Sequence, residues 1–315
     1  MRYLGLVLIL LLPVPRSAEA ANFFADFLYW QTTEPVDWVL ETNRLPVNQY
    51  VTYRTLEYDF APGLRIGVGT DGEEWDTKFW YTHYDTSTSD SATGDLTTAF
   101  LGGKQAQPPA PVYYFDSGQV SSSINYNLFD WDLSKRFQPS PALEVRPLVG
   151  LRGGWINQSI DSAFQADYSL LGIPVAQRIA ESMKNDFWGI GPKFGLENSL
   201  VVRRREESEL RCFANFYTSF LAGQWTIDDV TDLSTTALGL TINTRKTIAV
   251  PDRNFGALAF QAIIGFNWRY RRWSATAGYE VNDWLNQCQI FDDATGPHNN
   301  DLILQGLTAN LSWRF

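Results

Sequence analysis

His83 stands two residues before Asp85, and His298 closely follows Asp292 and Asp293. A histidine beside a carboxylate is the minimum for general-base chemistry at neutral pH. These are the two histidines of the chain, and with two cysteines they offer no ligand set for a metal or redox cofactor. None is expected. Acids recur in the polar stretches: Asp85, Asp90 and Asp95; Asp228, Asp229 and Asp232; Asp292, Asp293 and Asp301. No group has the spacing of a calcium loop. They read as a solvated acidic rim, which repels anions and gathers cations. Gly67 to Gly72 fits G-x-G-x-x-G after a strand. A dinucleotide site requires a helix next, but Glu73-Glu74 lead into another strand. The glycosylation sequons at Asn157 and Asn310 are read as chance.

A larger set of ionisable side chains falls on one face of otherwise apolar segments. Its carboxylates are Asp26, Asp76, Asp130, Asp132, Glu144, Glu197 and Glu280. Its cations are Arg65, Lys78, Arg136, Arg146, Arg152, Lys193 and Arg314. The signs balance, so the net charge of −10 belongs largely to the connecting segments. That charge and the pI near 4.7 argue against nucleic-acid binding.

Period-two placement requires strands with two unlike faces. The last stretch shows it most clearly. Leu307, Ala309, Leu311, Trp313 and Phe315 alternate with Gly306, Thr308, Asn310, Ser312 and Arg314. A closing strand with an apolar outer face, a polar inner face and a terminal aromatic suits a transmembrane β-barrel better than a soluble sandwich. The same period yields ten strands, with twelve also admissible. They are Phe23 to Gln31, one ending at Leu64 to Gly69, Trp75 to Tyr84, Val120 to Phe137, Leu143 to Ile156, one through Trp188 to Glu197, Leu210 to Trp225, Phe255 to Tyr270, Trp273 to Trp284, and the last. The faces of Leu210 to Trp225 are both apolar and stay unassigned. A bulge is expected in Val120 to Phe137 and another at Pro147, which cannot donate to a ladder.

Connections alternate between short and long. Asp71-Gly72, Gln138 to Pro141, Arg203 to Ser208 and Arg271-Arg272 are short. Residues 34–50, 85–119, 157–185, 226–253 and 288–300 read as long loops. Short periplasmic turns, long extracellular loops and an even strand number are the habit of outer-membrane barrels. Residues 1–20 read as a secretory signal: Arg2, the apolar run Leu4 to Leu12, and Ala18-Glu19-Ala20 as a small-x-small site. Residues 21–315 would then be the barrel. The aromatic content of 15% fits two interfacial girdles.

Several short motifs, in order, resemble the Legionella-type major outer-membrane protein family, whose relatives include chlamydial porin-like proteins. They are Ala25 to Trp30, Arg146 to Arg152 with Trp155 to Gln158, Gly189 to Leu196, Gly278 to Glu280, Trp284 to Gln287 and Gly306 to Thr308. The resemblance implies a pore-forming outer-membrane barrel. Passive diffusion of ions or small solutes is then expected through a lumen lined by the fourteen charged residues named above. Lipid and the barrel-assembly machinery, which would read the strand ending at Phe315, are the expected partners.

Two other readings stay open. One is a structural or adhesive barrel with a blocked lumen. The other is an omptin-like hydrolase, which would need His83 or His298 with acids at the outer rim. Cys212 and Cys288 fall at opposite ends of their strands, so no bridge between them is expected.

Overall fold

The computed structural model describes residues 20–44, 49–72, 75–109, 112–249, 252–289 and 300–314. Residues 1–19 of the expected leader lie outside that set, as do Asp292, Asp293, His298 and Phe315. The strands are β1 (Ala20–Thr33), β2 (Asp37–Arg44), β3 (Gln49–Thr55), β4 (Phe60–Asp71), β5 (Trp75–Thr98), β6 (Phe115–Lys135), β7 (Leu143–Leu170), β8 (Ile173–Arg204), β9 (Ser208–Ala237), β10 (Leu240–Ala249), β11 (Arg253–Tyr270), β12 (Trp273–Cys288) and β13 (Asn300–Arg314). A short helix, α1 (Leu101–Gln105), lies between β5 and β6.

Ten of these strands form a closed antiparallel wall, and β2, β3 and β10 stand outside the ring. Closure is made by β13 against β1, with Ala25 opposite Leu311 and Tyr29 opposite Leu307. The outer face carries exposed Phe27, Val68, Phe194, Phe216, Phe266 and Leu311. Paired rings mark its two levels. Trp273 meets Trp313 edge-on at 4.4 Å near the short turns. Tyr29 stacks on Phe60 at 5.3 Å nearer the other end. No described helix is long and apolar enough to cross a membrane.

The expected long loops prove to be largely strand. β5 runs to Thr98, β7 and β8 meet at Leu171-Gly172, and β9 and β10 meet at Leu238-Gly239. Residues 37–55 also form a hairpin, β2 with β3. β7 alone has 28 residues, about 90 Å at strand rise, far beyond the ~25 Å apolar band. Beyond that band both faces meet water or other polar residues, so the apolar–polar contrast that reveals period two is gone.

The two expected bulges are absent. β6 keeps one register with β7 from Ser117 to Ser134. At Pro147 the ladder is interrupted but not shifted. Phe137 and Val145 exchange both backbone hydrogen bonds at 2.9 Å. The next hydrogen-bonded pair would need an N–H from Pro147, which has none.

Candidate functional site

The inward side chains fill the barrel in tiers. The middle tier is a belt of ion pairs. Lys193 Nζ sits 3.0 Å from both Asp130 Oδ1 and Asp132 Oδ2. Arg152 Nε donates to Asp130 Oδ1 at 2.8 Å, and its Nη2 donates to Gln261 Oε1 at 2.6 Å. Gln261 donates to Glu280 Oε1 at 2.7 Å. Arg65 then donates to both oxygens of Glu280, at 2.7 and 3.2 Å, and to Asp26 at 3.1 Å. The belt therefore crosses from β6 through β8, β7, β11, β12 and β4 to β1. Lys193 also lies over the rings of Trp80 at 4.3 Å and Tyr217 at 4.7 Å. Gly195 makes room for this packing, since a Cβ there would lie 2.5 Å from the Tyr217 ring.

A second charged tier lies toward the short turns. Asp76 accepts from Arg146 and Arg136, each at 3.1 Å. Glu144 accepts from Arg146 at 2.6 Å and Arg211 at 3.0 Å. Lys78 pairs with Glu197 at 3.3 Å, and Tyr217 Oη donates to Glu197 at 3.0 Å. Arg314 lines a cavity of about 310 Å³ that this tier borders.

On the other side of the belt the lumen is aromatic and aliphatic. Trp30, Tyr84, Tyr126, Phe187, Trp225 and Trp284 are all buried there. Their polar ends are satisfied, as buried Tyr and Trp require. Trp30 donates to Thr308, Tyr84 to the Trp30 carbonyl, Trp284 to Tyr126 Oη, and Trp225 to the Gln287 carbonyl, at 2.9 to 3.2 Å. Lys193 and Trp225 are 0% exposed, so neither side chain touches solvent.

Beyond the membrane band, α1 is clasped from below. Gly102 and Gly103 donate backbone N–H bonds to the two oxygens of Glu181, at 2.8 and 2.9 Å. Burial, then the neighbouring Glu181 charge, pushes the Asp229 carboxyl up to about 7. Asp90 is held by Arg54 at 2.9 Å and by Trp38 Nε1 at 3.0 Å. Arg54 and the Ser91 backbone N–H outweigh partial desolvation and lower its carboxyl below the ordinary range.

All fourteen sequence-predicted residues sit on the inner face of the wall or at its short-turn mouth. Twelve are locked in the two charged tiers; Arg136 and Arg314 lie nearer the mouth. Among the interior residues that were missed are Arg211, Gln261 and Arg269. Arg211 lies on β9, whose two apolar faces hid its inward set. Gln261 and Arg269 alternate with Leu258, Phe260 and Trp268, so period two would have found them.

Two expectations require correction. His83 points outward from the wall. Its Nε2 lies 2.8 Å from Asp85 and its Nδ1 lies 2.8 Å from the Asn127 oxygen, so this pair is not at a luminal rim. The rim acids are not simply solvated either. Asp90 and Asp229 are engaged as described, and Asp232 lies 3.6 Å from Arg245. Cys212 and Cys288 form no disulfide.

Residues 13–315 match the family described as Legionella pneumophila major outer membrane protein precursor. Among solved structures the chain is similar to the outer membrane protease OmpT from Escherichia coli: 11% identity, 96% of this chain and 99% of that one, TM-score 0.38. It is similar to the Pseudomonas putida toluene transporter TodX at 8% identity, covering 94% and 89%, TM-score 0.28. It is similar to LpxR from Salmonella typhimurium at 10% identity, covering 93% and 100%, TM-score 0.28. No curated protein matches it.

Proposed function

The chain belongs to the Legionella major outer membrane protein family, and on that premise we propose that this outer-membrane barrel is a small-conductance pore, closed at rest, for ions and small solutes. The observation that carries the reading is the charged belt itself. Ionisable residues at membrane depth are costly and tend to mark conduction paths. A barrel needed only as a wall could fill its lumen with apolar side chains at lower cost. This one spends buried Asp130, Asp132, Arg152, Lys193 and Glu280 at that level. The fourteen named charges are its lining, and loosening the belt is the opening step. Extracellular acids bias entry toward cations. Residues 1–20 serve as the export signal, and assembly uses the closing strand β13 together with Phe315, which follows it in sequence.

One observation favours a second reading, a structural barrel with a permanently blocked lumen. The aromatic tier is as fully buried as a protein core, from Trp30 through Trp284. Hydrolysis is not part of the proposal, because His83 and Asp85 lie on the outer wall. Single-channel recording of the purified protein separates pore from plug. Brief small openings support the pore; silence in wild type and belt variants supports the plug.

A further inference from the structure

The cavity at the short-turn end differs in charge from the rest of the molecule. Seven cationic side chains and three carboxylates line it, in a chain whose net charge is −10. Three of the seven are committed to the lining carboxylates or to the tier above: Arg65, Lys78 and Arg146. Arg271, at the turn, is committed to Glu207 at 2.8 Å. Arg269 is different. It is half-buried on the inner face of β11, and among the described residues it makes no hydrogen bond or ion pair. The strongest charges acting on it are those of Arg211, Arg146 and Arg314, opposed by Glu144. Glu144 already accepts from Arg146 and Arg211.

Two positions away on the same face is Asn267. Its amide nitrogen donates to Ser274 Oγ at 2.6 Å and Thr276 Oγ1 at 2.7 Å. Its amide oxygen is buried with no partner. A buried acceptor left unsatisfied is a cost that a bound donor removes.

A guanidinium without an anion lines the cavity, and two residues along the same strand face lies a buried carbonyl without a donor. We propose that this periplasm-facing vestibule binds a protonated multivalent oxyanion of the phosphate class. Its charged oxygens take the planar fork of Arg269, a geometry suited to bidentate phosphate binding. Its remaining O–H donates to Asn267 Oδ1. Sulfate carries the same charge at neutral pH but has no proton to give. The phosphate could be a free ion or the phosphomonoester headgroup of a lipid. Binding at equilibrium does not depend on conduction, so this proposal can fail while the pore reading stands, and the reverse.

The test is calorimetric titration of the full chain in detergent with inorganic phosphate, then with sulfate at matched ionic strength. A parallel titration uses micelles doped with phosphatidic acid. Phosphate is expected to bind and sulfate to bind at least about tenfold more weakly, the effect of one lost hydrogen bond to a charged partner. A response to inorganic phosphate assigns a soluble ligand. A response to phosphatidic acid alone assigns a headgroup. Arg269→Gln should abolish either response. Arg269→Lys, which keeps the charge and loses the fork, should weaken it. Asn267→Asp, which places an anion beside the site on an unchanged backbone, should abolish it even if Arg269→Gln fails to fold. Equal binding of phosphate and sulfate, no binding of either probe, or wild-type binding by a folded Arg269→Gln protein overturns the proposal.

Discussion

Arg65 and Glu280, 215 residues apart in sequence, face each other across the barrel lumen with two hydrogen bonds of 2.7 and 3.2 Å. Both side chains are almost wholly buried, at 10% and 0% exposure. Removing one partner leaves the other charged in a water-poor interior. Arg65→Met is therefore expected to destabilise the barrel by about 3–5 kcal/mol, and the double variant Arg65→Met with Glu280→Met by clearly less. Urea unfolding in detergent, followed by heat-modifiable gel migration, checks the pair. Equal loss in the single and double variants would mean the pair is not coupled.

The closing strand makes a second prediction. Trp313 meets Trp273 edge-on at the short-turn end of the outer face. Such a contact contributes about 0.5–1.5 kcal/mol beyond burial. Trp313→Ser, alone or with Phe315→Ser, should lower the fraction of chains that reach the folded, protease-resistant form in the membrane. Full insertion of the double variant would contradict the role given to β13.

How far the sequence disclosed this architecture depends on contrast between the two faces of a strand. Within the apolar band, Leu143 to Ile156 alternates oil with charge, and both its existence and its inward set could be read. Beyond the band, Thr86 or Ser162 looks the same whether it faces in or out, so β5, β7, β8 and β9 seemed to stop where their lipid contact stops. The tiers were not legible at all. Period two says that Arg152 points inward; it does not say that Gln261 from β11 will meet it. Nor does it reveal that Trp30, Trp225 and Trp284, from three different strands, are buried in one luminal tier. Arg269 was legible by alternation and overlooked.

The clasp on α1 should respond to pH. The Asp229 carboxyl stands at about 7, above its ordinary value of 3.8. A carboxyl raised in the folded state binds its proton more tightly folded than unfolded. Its stabilisation is thus complete below the ordinary value and is lost as pH rises through about 7. Hydrogen exchange at the Gly102 and Gly103 amides, corrected for the intrinsic rate, should quicken as pH rises from about 4 to about 7 and level off above that. Asp229→Asn, whose amide still donates to Glu181 without ionising, should remove that dependence. An unchanged pH response in this variant would assign it to another group.

Leu171 and Leu238 each open a two-residue hairpin with φ of +53°, followed by Gly172 and Gly239 at +83° and +78°. Two successive left-handed residues make the turn that matches strand twist, but leucine is a poor occupant of the first position. Leu171→Asn should stabilise the β7–β8 hairpin by about 1 kcal/mol, read as slower proteolysis at its tip. Faster cleavage would show that the exposed leucine has a packing role.

The central claim is that the belt joining Asp130, Arg152, Lys193 and Glu280 closes a pore that can open. Single-channel recording in planar bilayers, comparing wild type with Arg152→Ala, tests it most directly. The account predicts small, brief wild-type openings. In the variant it predicts larger and longer openings with a shift toward cations, because Asp130 keeps its charge while one of its two cationic partners is gone. Large steady wild-type conductance, or silence from both proteins, would contradict it.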